Sequence, residues 1–458
     1  MTRRIWWIVL IGTSCGCKGT HVPFDRSFVS AALRQQTHLE TAQVIADGDT
    51  FVPDFVRIDD GVSEDEAVAL ALANNAAFQE VLAELGFTRA EIVQAGLLTN
   101  PLLSVLFPLG PKQLEFTATL PLEALWLRPR RVALATVDSQ RVAERLVQNG
   151  LDLIRDVRVA FADVERAEAR VRLAADAVDL IDAIAALADA RLKAGESSAL
   201  EVSTARIEAQ RSREDFVRLQ HEATLATERL RSLLGPAVAD RSFVIDSPVQ
   251  LLNRSTVQQY HSNVAVLAHD ALAARPDLRA AELAVDAACE RAGLANLEYL
   301  TVSGVVDANA GGEKGFEAGP GLQVTLPIFH QNQGAVARAE AEVERSVRNV
   351  ATVHDRIVAE VRMAHARVVQ ACDQFDIWQT QILPPTQEAV EQARKAFEDG
   401  DGSLVLVLET TRQLIDARVR AVEADGALRR AWHELERSVG RRLGGAEKTD
   451  SESEVDAR

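Results

Sequence analysis

The chain contains one structural unit twice, and this duplication constrains the fold more than any other feature of the sequence. The segment Gly195–Ser198 recurs as Gly400–Ser403, 205 residues later, and Leu120–Leu122 recurs as Leu326–Ile328, 206 residues later. Two further pairs of segments match in the same order at similar spacing: Ala95–Leu97 with Ala292–Leu294, and Asn75–Phe78 with Arg275–Leu278. A period of about 200 residues is too long for a solenoid and indicates a duplicated domain-sized unit.

Each unit has the pattern of a helix, two strands, a very long helix, a tight turn and a return helix. The first helix begins at Ser63, where Glu66 completes a capping box, and continues to Leu98. Apolar and polar residues alternate in two predicted strand pairs, which predicts one apolar and one polar face on each strand. These strands cover about 102–107 and 114–120 in the first unit, and about 300–310 and 316–326 in the second.

The long helices have the pattern of a coiled coil. A helix from Arg130 to Ala194 would be roughly 100 Å long at about 1.5 Å per residue. The valines of its predicted coiled-coil seam recur every seven residues: Val157, Val164, Val171 and Val178. Gly195 ends this helix, and Ser198 caps a return helix that continues to about Leu234.

The second unit repeats this arrangement with one interruption. Its long helix covers Ala335 to Asp399, and its return helix covers about 404–439. Pro384 and Pro385 lie inside the long helix and predict a kink or a restart there, because proline lacks the N–H that helical hydrogen bonding needs.

The two ends of the chain do not belong to the duplicated fold. Residues 1–17 have a basic start and an apolar run that is too short to span a bilayer, as in a secretion signal. The run ends near two cysteines and is similar to a bacterial lipoprotein signal, with Cys17 as the preferred lipidated residue and Cys15 as the alternative. An ordinary cleaved signal is the other interpretation. The remaining segments are an N-terminal extension (18–60), the first repeat (61–240), the second repeat (241–440) and a disordered polar tail (441–458).

Composition excludes several classes of function. The net charge of −17 argues against a nucleic-acid partner, because nucleic acids require a basic surface. No later segment has the length and apolarity of a transmembrane helix. We find no nucleophile elbow, zinc-protease motif or paired acid and base, and the histidines are dispersed along helices. The sequence therefore predicts no enzyme, no cofactor and no metal site. Cys289 and Cys372 are expected to be buried small apolar residues.

The strands carry the functional prediction. Four strands cannot close a barrel in lipid, which requires at least about eight, so a chain that places these strands in a membrane must oligomerise. Three copies would supply twelve strands. The polar face of the strands would then line a wet lumen, with these residues: Glu115, Thr117, Thr119, Asp307, Asn309, Gln323 and Thr325.

Taken together, these features resemble the TolC-like outer membrane efflux protein family over about residues 60–440. The resemblance is carried by the duplication, by Asn100-Pro101 before the first strands, by the Leu-Pro-Leu and Leu-Pro-Ile exits and by the two Gly-x-x-Ser turns. The lipoprotein-like start is similar to the lipid-anchored branch of that family. The resemblance implies a mostly α fold with a small β part, assembled as a trimeric 12-stranded transmembrane β-barrel in the outer membrane. A long α-helical barrel would continue it in the periplasm.

The resemblance also implies partners and sites. The family forms passive exit ducts that dock through their helical tips with a periplasmic adaptor protein and an inner-membrane transporter. In this chain, the acidic residues of the second turn would narrow the closed pore and favour cations: Glu398, Asp399 and Asp401. A solvated acidic turn is the alternative. The turn and cap residues would contact the adaptor: Gly195, Ser198, Gly400 and Ser403.

One competing function is a structural protein, namely a periplasmic coiled-coil scaffold or adaptor lipoprotein. Such a protein would share the long helices. It has no use for amphipathic strand pairs at matching places in both halves, and these therefore favour the duct. The sequence leaves open whether the cargo is a drug, a metal ion or a protein.

Overall fold

A computed structural model describes residues 23–39, 51–58, 60–107, 114–195, 197–238, 244–246, 263–310, 316–399 and 401–443. The candidate lipidation residues Cys15 and Cys17, the turn residue Gly400 and both predicted hairpin loops lie outside these residues. The first part of the chain contains α1 (Arg26–Thr37), α2 (Glu64–Asn74), α3 (Ala76–Leu82), α4 (Glu84–Gly96), β1 (Leu102–Leu106), β2 (Leu114–Pro121), α5 (Ala124–Ala194) and α6 (Ala199–Leu234). The second contains α7 (Val264–Ala274), α8 (Pro276–Ala295), β3 (Val302–Ala310), β4 (Phe316–Val324), α9 (Gln333–Asp376), α10 (Leu383–Glu398) and α11 (Leu404–Val439).

The chain divides into two compact units, and each takes segments from both repeats. A sheet unit is built mainly from Leu82–Leu146 and Pro276–Val353. A helical unit is built from Ser30–Val81, Val147–Arg275 and the described part of 354–458. Neither unit therefore coincides with one repeat.

The prediction of a single first helix to Leu98 is wrong, although its start is confirmed. Ser63 and Glu66 form the expected capping box at the start of α2. The helix then stops at Asn75, whose backbone is extended and whose side-chain oxygen accepts from the N–H of Phe78 at 3.0 Å. Asparagine favours such local caps over helix interiors, and this explains the break. The second repeat breaks at the equivalent place, between α7 and α8, where Arg275 precedes Pro276.

The long-helix predictions are confirmed in extent and corrected in detail. Val157 and Val164 are buried, but Val171 and Val178 are only half-buried. A straight α-helix drifts by about 20° per heptad relative to a seven-residue repeat, so the buried side moves to other residues farther along. These include Ala174, Ala177, Ile181 and Ile184.

The expected interruption of the second long helix is present. A π-helical segment, Ile377–Ile382, separates α9 from α10, and the N–H of Leu383 bonds to the carbonyl of Trp378. Pro384 and Pro385 lie in the first turn of α10, where their missing N–H groups cost little. The first repeat has no such break, and α5 runs through 71 residues.

Two further observations concern membrane crossing and cysteine. Among the described residues, no helix combines the length and apolarity needed to cross a membrane. Cys372 is buried as expected, whereas Cys289 is exposed on α8, so the expectation for Cys289 is wrong.

Candidate functional site

The four strands form one antiparallel sheet with two chemically different faces. The strand order is β1-β2-β3-β4, so the two predicted hairpins join through β2 and β3. Alternate residues of a strand point to opposite faces. One face carries only apolar residues and glycine: Leu103, Val105, Leu114, Phe116, Ala118, Leu120, Val302, Gly304, Val306, Ala308, Ala318, Pro320, Leu322 and Val324. The rest of the chain does not fully cover this face, since Leu103, Val306 and Leu322 are all more than half exposed.

The opposite face carries the polar side chains of the sheet together with Leu102, Leu106 and Val305, and the predicted lumen residues share it. The register places Glu115 opposite Asn309 and Thr117 opposite Asp307. Thr117 Oγ1 donates to Asp307 Oδ1 at 3.0 Å. The remaining predicted residues follow the same alternation: Thr119, Gln323 and Thr325. Six of the seven therefore occupy register positions of a single face, and Thr325 lies one residue beyond β4, where its N–H bonds to Thr301 O at 3.1 Å.

The sheet ends in two open edges. In an antiparallel pair, alternate residues of a strand point their backbone N–H and C=O groups toward the neighbouring strand. The N–H of Thr325 bonds to the carbonyl of Thr301 at 3.1 Å, so the odd-numbered residues of β4 point these groups toward β3. The backbone nitrogen of Pro320 then points to the open edge of β4, so its missing N–H removes no hydrogen bond between β3 and β4. The N–H of Leu122 bonds to the carbonyl of Val302 at 2.8 Å, so the even-numbered residues of β2 bond to β3 and its odd-numbered residues bond to β1. The backbone groups of Leu103 and Val105 therefore face the open edge of β1. Both edges present unpaired backbone groups.

The first helix turn is a complete capping box. Gly195 ends α5 with φ +79°, a left-handed conformation that favours glycine. Ser198 Oγ accepts from the N–H of Glu201 at 3.2 Å, and Glu201 in return accepts from the N–H of Ser198 at 2.9 Å. The hydrogen bonds from Ser198 and Ser197 lower the pKa of the Glu201 carboxyl.

The second turn has the same position in its repeat but a tighter backbone. Asp401 N–H bonds to Ala396 O at 3.0 Å, and Ser403 Oγ accepts from Val405 N–H at 3.2 Å. A Cβ at Gly402 would lie 2.6 Å from the backbone nitrogen of Phe397, so only glycine fits there. Glu398 pairs with Arg394 at 2.9 Å, while Asp399 and Asp401 are exposed.

The structure joins the two turns through a contact that the sequence analysis missed. Arg191, at the end of α5, donates from Nη1 to the carbonyl oxygen of Phe397 at 2.9 Å. Its guanidinium also lies 4.5 Å from the centre of the Phe397 ring. Phe397 belongs to a shared apolar core with Ile184, Val202 and Leu404. An arginine in the last turn of α5 is an ordinary helix-terminal charge in the sequence, so nothing in the pattern singled it out.

A buried ion network fixes the other end of the helical unit. Arg158 is 4% exposed, and its guanidinium contacts Glu64 at 2.9 Å, Asp65 at 3.4 Å and Glu436 at 2.9 Å. His433 Nδ1 lies 3.4 Å from Glu436 Oε2. Burial acts to raise the pKa of Glu436, but the hydrogen bond to His433 and the charge of Arg158 outweigh it and hold the pKa below its ordinary value. The network ties α2 to α5 and α11.

Known proteins are similar to this chain over most of its length. The family model described as outer membrane efflux protein matches residues 67–236 and 267–441. The cobalt-zinc-cadmium resistance protein CzcC of Cupriavidus metallidurans is 24% identical over 406 residues, which cover 86% of this chain and 94% of that protein. The pyoverdine export outer membrane protein OpmQ of Pseudomonas putida is 26% identical over 344 residues, 70% of this chain and 67% of OpmQ.

Solved structures share the fold. The crystal structure of CusC matches with a TM-score of 0.70 at 19% identity, covering 88% of this chain and 99% of CusC. The outer membrane protein VceC of Vibrio cholerae matches with a TM-score of 0.68 at 15% identity, covering 83% of this chain and 96% of VceC. The mostly helical fold with a small sheet is therefore shown.

The ion network generates a pH prediction. Glu436→Gln leaves Arg158 without its most buried partner, and breaking a buried ion pair costs about 3–5 kcal/mol. Because the folded-state pKa of Glu436 lies below the reference value of 4.5, its stabilisation is present above that pH and is lost as the pH falls through the folded-state pKa. We expect Glu436→Gln to lower the melting temperature in detergent at pH 7, and the gap to wild type to narrow below about pH 4.5. A gap of constant size across this range would contradict the assignment.

Proposed function

Because the chain belongs to the outer membrane efflux protein family, we propose that it is the outer-membrane exit duct of a tripartite efflux system. In this role it passes substrates passively from an inner-membrane transporter and a periplasmic adaptor across the outer membrane. The observation that carries the proposal is the amphipathic four-stranded sheet with two open edges. A sheet with a wholly apolar face suits a lipid environment only if its edges are closed, because unpaired backbone groups are costly in hydrocarbon.

A homotrimer supplies that closure. β1 and β4 run antiparallel to one another in the alternating order of the sheet, so β4 of one copy can pair with β1 of the next. Three copies give a 12-stranded barrel with the apolar face toward lipid. The polar face, which includes Glu115, Thr117 and Asp307, then lines the lumen.

The helical unit also has a free flank that a second copy can cover. Within one chain, α5 pairs with α6 through Arg170 and Glu222 at 3.0 Å, and with α11 through Glu165 and Arg429 at 2.8 Å. The other side of α6 carries an exposed stripe at helical spacing, formed by Leu200, Ile207 and Leu225. We assign this stripe to the neighbouring copy, which extends the barrel of strands as a barrel of helices in the periplasm.

The two helix turns are the proposed docking end. Gly195, Ser198 and Ser403 shape them, and the predicted Gly400 lies between described residues. Arg191 and Phe397 hold the turns together as one surface for the adaptor. The exposed carboxylates at Asp399 and Asp401, with Glu398, would form the acidic constriction of the closed pore.

Anchoring and cargo complete the proposal. A lipid on Cys17, or on Cys15, would add a second attachment to the outer membrane. The names of two relatives refer to cobalt-zinc-cadmium resistance and to pyoverdine export. Such different names fit a duct whose cargo is set by the transporter that feeds it. A coiled-coil scaffold or adaptor explains the helices but gives no reason for the apolar sheet face.

The first test is the assembly itself. We expect the protein to be released from outer membranes only by detergent, to have the mass of a trimer and to conduct ions in planar bilayers. A duct needs a continuous lumen, and one chain cannot enclose it. Recovery as a monomer or dimer in soluble periplasm would contradict the duct and favour the scaffold.

The open edge of β4 gives a second prediction. Residue 322 faces that edge, so Leu322→Pro removes one outward N–H and leaves the β3–β4 ladder intact. We expect its trimer to dissociate at a lower temperature on native gels. Leu322→Ala is the matched control, because it removes the same apolar side chain and keeps the N–H. Equal trimer stability of the two variants would contradict pairing between copies at this edge.

The acidic residues of the second helix turn give a third prediction. Asp399→Asn with Asp401→Asn removes two carboxylates per chain, and charged constrictions concentrate ions of opposite sign. We expect a lower ratio of cation to anion permeability at low salt. Asp355→Asn, which removes an exposed carboxylate of α9, serves as the control. If the double variant keeps the wild-type ratio, the carboxylates are solvated turn residues and do not line a constriction.

A further inference from the structure

The end of the sheet at which β1 begins and β2 ends carries an unusual group of side chains. Because neighbouring strands are antiparallel, β3 begins and β4 ends there as well. We call this region the sheet base and define it as residues 97–101, 122–131, 296–301 and 325–332. Large apolar side chains are exposed throughout it: Leu98, Leu125, Trp126, Tyr299, Leu326, Ile328 and Phe329. Phe329 is 92% exposed.

The sheet base also contains three arginines within four residues, in a chain of net charge −17. Arg128, Arg130 and Arg131 lie in the first two turns of α5. The first turn of α5 contains no acidic residue that could offset their charge. The first turn of α2, by comparison, contains three acidic residues. The start of α5 is therefore a basic segment.

Nearby carboxylates pair with only one of the three arginines. Glu123 accepts from the backbone N–H of Val302 at 3.2 Å and is thereby used to join the sheet to α5. Arg130 reaches Glu290 of α8 at 3.4 Å, with half of its side chain exposed. In the part of the chain that the structure describes, Arg128 and Arg131 have no ion-pair partner. Glu298, the other acid of the sheet base, has none either.

We propose that Arg128, Arg130 and Arg131 bind the phosphate groups of membrane phospholipids at the sheet base. This inference rests on the proposed function, because it places the apolar sheet face in the membrane. Lipid acyl chains would then cover the apolar face, and the headgroup layer would meet the sheet base, where aromatic rings such as Trp126 and Tyr299 are suited to an interface. Arginine binds phosphate through paired N–H donors, and clustered basic residues at a membrane surface select anionic headgroups.

Gly293 supports a positioned role for Arg130. A Cβ at this position on α8 would lie 3.0 Å from Nη1 of Arg130. The glycine therefore leaves room for the guanidinium to lie across α8 beside Glu290, with its remaining donors free for a ligand. Arg128 is exposed and touches no other element in an ion pair, so it is the best single site for a test.

The test uses the full chain extracted in mild detergent, with native mass spectrometry and titration of short-chain dioctanoyl-phosphatidylglycerol. At about 1 kcal/mol per arginine, Arg128→Gln is expected to weaken binding about fivefold, and the triple variant with Arg130→Gln and Arg131→Gln more than about tenfold. A matched triple variant removes three exposed arginines of α9 and should bind as wild type: Arg345→Gln, Arg362→Gln and Arg367→Gln.

Two further ligands separate the possible outcomes. Dioctanoyl-phosphatidylcholine tests the apolar contribution, and inorganic phosphate tests a site for free anions. Tighter binding of phosphatidylglycerol than of either, lost in the Arg128 series alone, is the expected result. Equal competition by inorganic phosphate, or equal binding of all variants, would overturn the proposal.

Bilayer conductance of the same samples keeps this proposal distinct from the duct itself. A conducting trimer without a preference for phosphatidylglycerol would overturn the phospholipid site and leave the duct standing. A protein that neither assembles nor conducts would overturn the duct and, with it, the membrane placement of the sheet base.

Discussion

The sheet has one wholly apolar face and two edges without partners, and the other elements of the chain depend on how both are covered. In water, a four-stranded sheet can bury such a face under helices of its own chain, but here Leu103, Val306 and Leu322 stay largely exposed. In lipid, the apolar face is satisfied and the edges are not. Adding further copies in a ring satisfies both, because each new contact pairs a β4 edge with a β1 edge. A heterologous contact of this kind repeats until it closes, and the rotation between copies then decides how many complete the ring. The polar face, with Asp307 and Thr117 bonded to each other, is enclosed by the same step.

The two repeats share the same order of elements, but their long helices differ in continuity. α5 passes through 71 residues without a break, whereas its counterpart is divided by the π-helical segment Ile377–Ile382 and the two prolines that follow. No residue of the π-helical segment is buried, although the guanidinium of Arg420 on α11 lies 5.7 Å from the centre of the Trp378 ring. Beyond it, α10 is held by Val390, Ala393 and Phe397 against its neighbours. Arg191 then fastens the far end of α10 to α5 through the Phe397 carbonyl. The second hairpin is thus attached to the first at its tip, as well as through the buried Arg158–Glu436 pair at the other end of the helical unit. π-helical turns of this kind occur often at functional sites.

Periodicity and repeats were enough to predict the strands, the helix turns and the break at the prolines. Strand alternation assigned Glu115, Thr117 and Asp307 to one face because side-chain direction in a strand follows directly from position. The same reasoning failed at Asn75, where a side-chain cap overrode a continuous apolar pattern. It failed again at Val171 and Val178, because a seven-residue repeat and a 3.6-residue helix fall out of phase. The Arg191–Phe397 contact and the Arg158 network could not be predicted, since each joins residues that are distant in sequence and carries no local pattern. The proposed pore would depend on contacts between copies, which no single segment of the chain encodes.

One buried and two part-buried ion pairs explain how long helices with small side chains keep a unique register. Alanine and valine seams are nearly self-similar, so sliding one helix by a heptad would replace one small apolar contact with another at little cost. The ionic contacts change that balance. Arg158 meets Glu436, Glu165 meets Arg429 and Asp152 meets Arg437 at 2.9, 2.8 and 2.7 Å, and all three pairs join α5 to α11. A slide of one heptad moves the helices by about 10 Å relative to each other and would separate every pair at once. Isolated buried charges cost several kcal/mol each, so the correct register is selected by the penalty on its alternatives more than by the strength of the pairs themselves. The same register places the cap at Ser403, because α11, which that cap begins, is the helix that these pairs hold against α5.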